Sequence, residues 1–309
     1  MKREANVKAP VLLGGENRSG TTLQSIILDA HPDLVVAPEI DFLEPLDLGP
    51  HILEAARLLS ANDPRVLGPG TETEDPFWFD GAHFVKQCQR SGVPNDDLIE
   101  LVEAAMAERK SDLSRFVDRC YLIEKIGAYR LKKYGGLFWG QKLQRKIARI
   151  DDFARIWPEA RFIHIVRDGR DLFASHLKSV PKWGYKTPSE MARSWVEIVS
   201  RPVTVAPQGR YLEVRYEDLV TSPAEVIKRM TDFIGVEWSD QVLAHHEVSH
   251  VLFENPWEHP AAEAAAKAIS TSPVGRYQRD LSERQIAEFE AVAGPQLKRL
   301  GYTLSDESR

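Results

Sequence analysis

Between Gly15 and Thr22 the chain reads G-E-N-R-S-G-T-T. The spacing matches the phosphate-binding loop G-x-x-x-x-G-K-[ST] everywhere except at the lysine. Thr21 stands in that place, and a cation appears three residues earlier, at Arg18. In such a loop the glycines and the start of the next helix aim backbone N–H groups at an anion. The lysine would reach the β- and γ-phosphates of a nucleoside triphosphate, with Mg²⁺ on the hydroxyl. Its loss disfavours triphosphate chemistry. Arg18 instead offers a planar fork that can hold a terminal oxyanion at two points, so no metal is obligatory.

A second basic turn lies far downstream, in V-R-D-G-R-D-L-F-A-S, Val166 to Ser175. Arg167 leaves the end of a strand, where ligands collect in open α/β sheets. Ser175 falls about two turns into the next helix and can donate a hydroxyl. Taken alone, Asp168 and Asp171 beside Arg167 and Arg170 read as a charge-balanced surface turn. Paired with the first loop, the segment reads as a second anion site.

A donor with one phosphate and one sulfuryl group on its 5′ side suits the first loop. N-R-S-G-T-T-L resembles the 5′-phosphosulfate loop of sulfotransferases that use 3′-phosphoadenylyl sulfate (PAPS). The usual pattern has proline before the arginine; here Asn17 takes that place, and the Arg-Ser-Gly-Thr-Thr core is intact. The resemblance places Arg18, Ser19, Gly20, Thr21 and Thr22 on the 5′ side of the donor. It places Arg167 and Ser175 on the 3′-phosphate, with help from Arg170. E-V-R-Y-E-D-L-V-T-S-P resembles the family's strand and helix entry near adenine, which implies Tyr216. S-P-V-G-R-Y-Q-R-D-L-S resembles the C-terminal donor lid, which implies Ser272 and Arg276. The resemblance covers most of Val11 to Tyr302, whereas residues 44–135 match no pattern. The implied product is adenosine 3′,5′-bisphosphate.

Sulfuryl transfer needs a base for the nucleophile and positive charge at the leaving phosphate. Glu39 follows a strand in D-L-V-V-A-P-E-I-D. The branch resembling tyrosylprotein and bacterial carbohydrate sulfotransferases has its base at this location, which implies Glu39, with Asp41 as an alternative. F-W-G-Q-K-L-Q-R-K-I resembles the family's strand carrying a lysine aimed at the bridging oxygen. That implies Lys142, acting with Arg18; Lys146 is a nearby competitor. The histidine of the cytosolic aryl branch is absent, since Leu143 and Gln144 follow. No metal site is expected: His245, His246, His250 and His259 lack carboxylate or cysteine spacing, and adjacent residues face different ways on a helix. Cys88 and Cys120 read as packed, as do Trp78, Trp183 and Trp257, which could otherwise line an acceptor pocket.

These groups must be positioned by alternating strands and helices. Strands are expected at Val11–Leu13, Leu34–Ala37, Leu137–Gln141, Phe162–Val166 and Tyr211–Arg215. Helices are expected from Thr21 to His31, near His51–Ala61, after an Asn95 cap, over Ser111–Lys133 and Arg145–Ile156, and from Asp171. Further helices are expected behind capping boxes at Ser222/Glu225 and Ser282/Gln285. The alternation implies an α/β fold, a P-loop-like parallel sheet flanked by helices on both faces, with a helical insertion at about 44–135. One domain is expected to span the 309 residues.

The composition, 43% hydrophobic and 28% charged, is that of a globular protein that needs no disulfide or metal to hold its core. A net charge of 40 − 46 = −6 gives no general attraction to nucleic acid. Two cysteines, a polar start without a signal-peptide core, and no long apolar run imply a cytoplasmic protein with no transmembrane segment. The expected activity is metal-independent in-line transfer from PAPS to an acceptor hydroxyl or amine, on a small molecule, carbohydrate or peptide. The alternatives are a small-molecule kinase with an altered loop and a non-catalytic sensor of adenosine bisphosphate. The residues specify neither the acceptor nor the oligomeric state.

Overall fold

Pro10 closes a polar stretch, and four residues without a polar side chain follow it. All four are buried, as a strand covered on both faces requires. In the computed structural model the described residues are 9–43, 48–61, 81–179, 184–250 and 266–305. In chain order they form β1 (Val11–Gly14), α1 (Thr21–Asp29), β2 (Leu34–Glu39), α2 (Leu48–Ser60), α3 (His83–Arg90), α4 (Asn95–Arg109), α5 (Phe116–Tyr134) and β3 (Phe138–Gln144). A 3₁₀ turn (Arg145–Arg149) then leads to α6 (Ile150–Ile156), β4 (Arg161–Val166), α7 (Gly169–Ser179), α8 (Pro188–Val205), β5 (Tyr211–Arg215), α9 (Tyr216–Thr221), α10 (Pro223–Ile234), α11 (Tyr277–Asp280) and α12 (Glu283–Arg299).

The strands lie in the order β2-β3-β1-β4-β5. The pairs β1–β4, β4–β5 and β2–β3 are all parallel, with Val11 opposite Arg161, Phe162 opposite Tyr211 and Leu34 opposite Phe138. The expected parallel α/β sheet with flanking helices is therefore observed. Among the described residues no helix is long and apolar enough to cross a membrane. By contact density the chain divides into two compact units: Met1–Pro10, Ser25–Lys142 and Ala244–Lys267, and Val11–Gln24, Leu143–Leu243 and Ala268–Arg309.

In the second unit α7, α8 and α12 share a core of Leu172, Phe173, Trp195, Phe289 and Leu297. The helix α8 was not anticipated from sequence, although Thr187, Pro188 and Glu190 start it with a complete capping box. Ser282 and Gln285 form the box expected of them. Ser222 does not. Its N–H bonds Asp218 O at 2.8 Å, so it ends α9 and its side chain caps nothing in α10.

In the first unit α4 begins at Asn95 itself, and the residue before it is Pro94. The Asn95 side chain accepts from Gln89 and donates to Ser60 instead of capping. The helix expected from Ser111 starts at Phe116, because Lys110 and Leu113 take positive φ of 50° and 65°. Local bonds from Leu113 N–H to Ser111 Oγ and from Ser114 N–H to Asp112 Oδ1 hold that bend. From α5, Arg119 donates to the carbonyls of Phe42 (2.8 Å) and Leu43 (2.7 Å). Arg130 donates to Ser91 O at 2.7 Å. These buried guanidiniums tie α5 to the chain beyond β2.

Candidate active site

In the second unit the β1–α1 loop turns tightly: Gly15 N–H bonds Gln144 O at 3.1 Å and Ser19 N–H bonds Glu16 O at 3.0 Å. Arg18 sits at φ 71°, a left-handed conformation that costs an ordinary residue on the order of 1–3 kcal/mol. Gly20 has φ 103°, and a Cβ there would lie 2.5 Å from the Tyr216 ring. Only glycine permits both that backbone and that close approach. Gln24 N–H makes the helical bond to Gly20 O, so the amides just before it belong to the open N-terminal turn of α1. Ser19, Thr21 and Thr22 are all buried at this turn.

Arg167 follows β4 and is 5% exposed. One Nη donates to Arg18 O at 3.2 Å, and the other donates to Pro273 O at 2.6 Å and Asp171 Oδ2 at 3.4 Å. Its guanidinium lies 4.5 Å from the centre of the Tyr216 ring. Trp195 Nε1–H holds the Arg167 carbonyl at 2.9 Å. Arg18 Nε points to Ser175 Oγ at 3.4 Å. The structure therefore brings Arg18, Ser19, Gly20, Arg167, Ser175 and Tyr216 together, although the two loops are far apart in sequence.

Burial, and then the like charges of Arg167 and Arg276, push the Arg18 guanidinium below its usual range. Arg167 is partly balanced by Asp171 at 3.4 Å. Arg276 pairs with Asp280 at 2.8 Å. Ser272 is exposed, and among the described residues it bonds within its own turn, its Oγ accepting from Ser270 Oγ at 3.1 Å. Arg170 plays another part than the one expected of it. It pairs with Asp168 and Glu290, each at 2.6 Å, donates to Thr303 O, and stacks 4.1 Å from the Tyr277 ring centre. That guanidinium is a structural joint to the C-terminal segment.

Two buried carboxylates join the site through partners remote in sequence. Asp171 accepts N–H bonds from Gly275 and Tyr277, each at 2.9 Å, and so ties the segment carrying Ser272 and Arg276 to α7. Its burial raises its pKa. Glu16, inside the loop, is buried and accepts from Asn17 N–H at 2.8 Å and Ser194 Oγ at 2.9 Å. The acidic residue in the G-x-x-x-x-G stretch was the available signal; its partners, remote in sequence, were not readable.

In the first unit, Glu39 at the end of β2 stands opposite Lys142 of β3, at an irregularity in the strand register. Gln141 Nε2 donates to Pro38 O at 2.9 Å, and Asp41 N–H donates to Gln87 Oε1 at 2.6 Å. The backbone is thus fixed on both sides of Glu39. Lys142 is buried at 1% exposure, whereas Lys146 lies on the following 3₁₀ turn and is only partly buried. Glu39 is close enough to Arg90 on α3 to offset part of the burial that depresses that guanidinium's pKa.

Among the described residues no group of three metal-ligating side chains converges. His250 is buried between Asp29 Oδ2 and His245 O, each at 3.0 Å, and His246 faces outward. Cys88 and Cys120 are free and buried. Trp78, Trp183, Trp257 and His259 lie outside the described residues.

A parallel α/β sheet whose strand ends carry a glycine loop and a cluster of arginines defines a protein built to hold an anionic ligand. Residues 10–240 match the model of the sulfotransferase family, which is most of the chain, and the chain belongs to that family. It is 25% identical to protein-tyrosine sulfotransferase 1 of Danio rerio over 306 residues, which cover 94% of this chain and 72% of that protein. It is 21% identical to protein-tyrosine sulfotransferase A of Caenorhabditis elegans over 302 residues, 94% of this chain and 67% of that one. Among solved structures, the sulfotransferase domain of the Synechococcus PCC 7002 olefin synthase superposes with a TM-score of 0.61 at 19% identity, covering 98% of each chain. The protein is thus a sulfuryl-transferring enzyme.

Proposed function

We propose that the donor is PAPS and that its two ends are held by the two basic loops. The single observation carrying this reading is that Arg167 bonds the Arg18 carbonyl at 3.2 Å, which brings the two basic loops together around an arginine with a left-handed backbone. The residues fit the group. Among the described residues, Ser19 Oγ and Arg167 Nε are buried polar atoms without a protein partner, one in each loop. Arg18, Ser19, Gly20, Thr21 and Thr22 would take the 5′ side, Arg167 and Ser175 the 3′-phosphate. Tyr216 would take the adenine side, with Ser272 and Arg276 closing over it. The donor supplies an electrophilic sulfur bonded to a phosphate oxygen.

Glu39 is proposed as the base. It takes the proton of the acceptor hydroxyl or amine as that atom bonds sulfur. Lys142 and Arg18 stabilise the charge left on the departing phosphate oxygen. The fixed backbone on each side of Glu39 and its pairing position opposite Lys142 support these roles. No metal enters this scheme. The relatives' names make a peptide tyrosine the first acceptor to try, ahead of carbohydrate and small alcohol. A cytoplasmic location is a further proposal, to be checked by fractionation of the producing cell.

Transfer of labelled sulfate from PAPS to a panel of tyrosine peptides, sugars and alcohols, with chelator present, tests the proposal. Transfer to one class is expected. Failure with every acceptor, together with no binding of adenosine 3′,5′-bisphosphate, would exclude PAPS as donor. Binding without transfer would favour the sensor reading.

A further inference from the structure

Asn17 has a backbone N–H that a proline at this position would lack, and Glu16 Oε1 accepts it at 2.8 Å. The other oxygen accepts from Ser194 Oγ at 2.9 Å, and Arg145 Nε forms an ion pair with Oε1 at 3.1 Å. Ser194 is in turn held by Tyr185 Oη–H at 2.6 Å and by an Arg145 Nη at 2.8 Å. The Tyr185 ring lies 5.4 Å from that of His176, whose Nε2 faces Asn17 O at 3.4 Å. The residue just before Arg18 is therefore held through its N–H and its carbonyl, by a network reaching α7, α8 and the turn after β3.

We propose that Glu16 is a positioning residue for donor binding: its ionised carboxylate, clamped by Asn17 N–H, Ser194 and Arg145, holds the loop in the left-handed turn that presents Arg18 to the donor's 5′ side. The inference rests on the PAPS reading above. A proline in place of Asn17 would restrict the backbone covalently; here a buried carboxylate does the work through hydrogen bonds. Such a clamp depends on charge. Protonation turns one acceptor oxygen into a donor and removes the ion pair with Arg145. Donor affinity then falls on acidification.

The titratable and charged groups acting on Glu16 are Arg145 on the 3₁₀ turn and Tyr185 ahead of α8; Glu197 of α8 acts in turn on Tyr185, and Arg18 and Arg145 act on His176 of α7, which reaches Asn17 O. Burial raises the Glu16 pKa, against the opposing pull of Arg145. Burial lowers that of His176. Glu16 therefore takes up its proton at a higher pH than an ordinary glutamate and His176 at a lower pH than an ordinary imidazole, and the experiment must separate them.

The test is calorimetric titration of the full chain with adenosine 3′,5′-bisphosphate from pH 8 to pH 5, for wild type, Glu16→Gln, Ser194→Ala and His176→Asn. In wild type the affinity should decline with falling pH. Glu16→Gln, which keeps the shape and loses the charge, should bind about tenfold or more weakly at pH 8 and show a shallower decline, the remainder being the titration of the ligand's own phosphates, whose second pKa is about 6. Ser194→Ala should weaken binding by a smaller factor, and His176→Asn should keep the acid decline. In the transfer assay the Glu16→Gln defect should appear in KM for PAPS and, because Arg18 also acts on the leaving group, as a lowered kcat. If wild type binds the nucleotide and Glu16→Gln binds equally well at every pH, the inference about Glu16 falls and the donor reading stands. A shallower decline in His176→Asn alone would also overturn it. If wild type does not bind at all, the donor reading itself falls, and this inference with it.

Discussion

Replacing Arg167 by lysine keeps a positive charge at the second loop and removes the planar fork. Arg167 is buried, and it holds Pro273 O at 2.6 Å, Arg18 O at 3.2 Å and the face of Tyr216 at 4.5 Å. An ammonium at the end of a flexible stem cannot meet two carbonyls and a phosphate in one plane. One charge-assisted contact to the 3′-phosphate is lost, about 1.5–3 kcal/mol, which corresponds to about 10–150-fold in affinity. The lost internal bonds should also lower the thermal midpoint by a few degrees, roughly 2–4 °C per kcal/mol for a chain of this class. Calorimetry with adenosine 3′,5′-bisphosphate and with AMP reads the effect directly. Affinity for the bisphosphate should fall by that factor, while AMP, which has no 3′-phosphate, should bind within about threefold of wild type. Equal loss for both ligands would refute the assignment of Arg167 to the 3′ end. So would an unchanged affinity for the bisphosphate.

Glu39→Gln should reduce kcat by roughly a hundredfold or more and leave nucleotide affinity unchanged; unchanged turnover would remove Glu39 as the base. Gly20→Ala forces a Cβ to 2.5 Å from Tyr216 at a φ of 103°, and nucleotide affinity should fall more than about tenfold with far-ultraviolet dichroism unaltered. His164, in the middle of β4, is held neutral: burial, and then the charge of Arg299, push its pKa down to about 3. Its contribution to stability is complete above the ordinary imidazole value of about 6.5 and is lost as pH falls toward 3, at up to about 1.4 kcal/mol per pH unit. Urea titrations of wild type and His164→Phe between pH 7 and pH 4 should show a shallower loss in the variant.

The strands were legible because a parallel strand covered on both faces is a short apolar run between turn residues. Tyr211–Arg215 was placed to the residue, and β1, β2 and β4 within one or two. The two basic loops were legible because their chemistry fixes residue types at fixed spacing next to those strands. The rest depended on contacts that no local window contains. Ser222 spells a cap, but its N–H closes the preceding helix. Asn95 spells another, but its side chain bridges to Ser60 and Gln89. Arg170 and Arg167 are alike in sequence and differ in neighbours: Arg170 meets Glu290 and Thr303 from the far end of the chain. Glu16 and Asp171 read as ordinary acids until their partners at Ser194 and at Gly275 and Tyr277 are seen. For α8 the signal is local, in Thr187, Pro188 and Glu190.

The most direct measurement is a crystal structure of the chain with adenosine 3′,5′-bisphosphate bound. The 5′-phosphate should lie within hydrogen-bond distance of Arg18 and the amides of Gly20 to Thr22, and the 3′-phosphate on Arg167 and Ser175. A nucleotide that leaves either arginine without a phosphate would contradict the account.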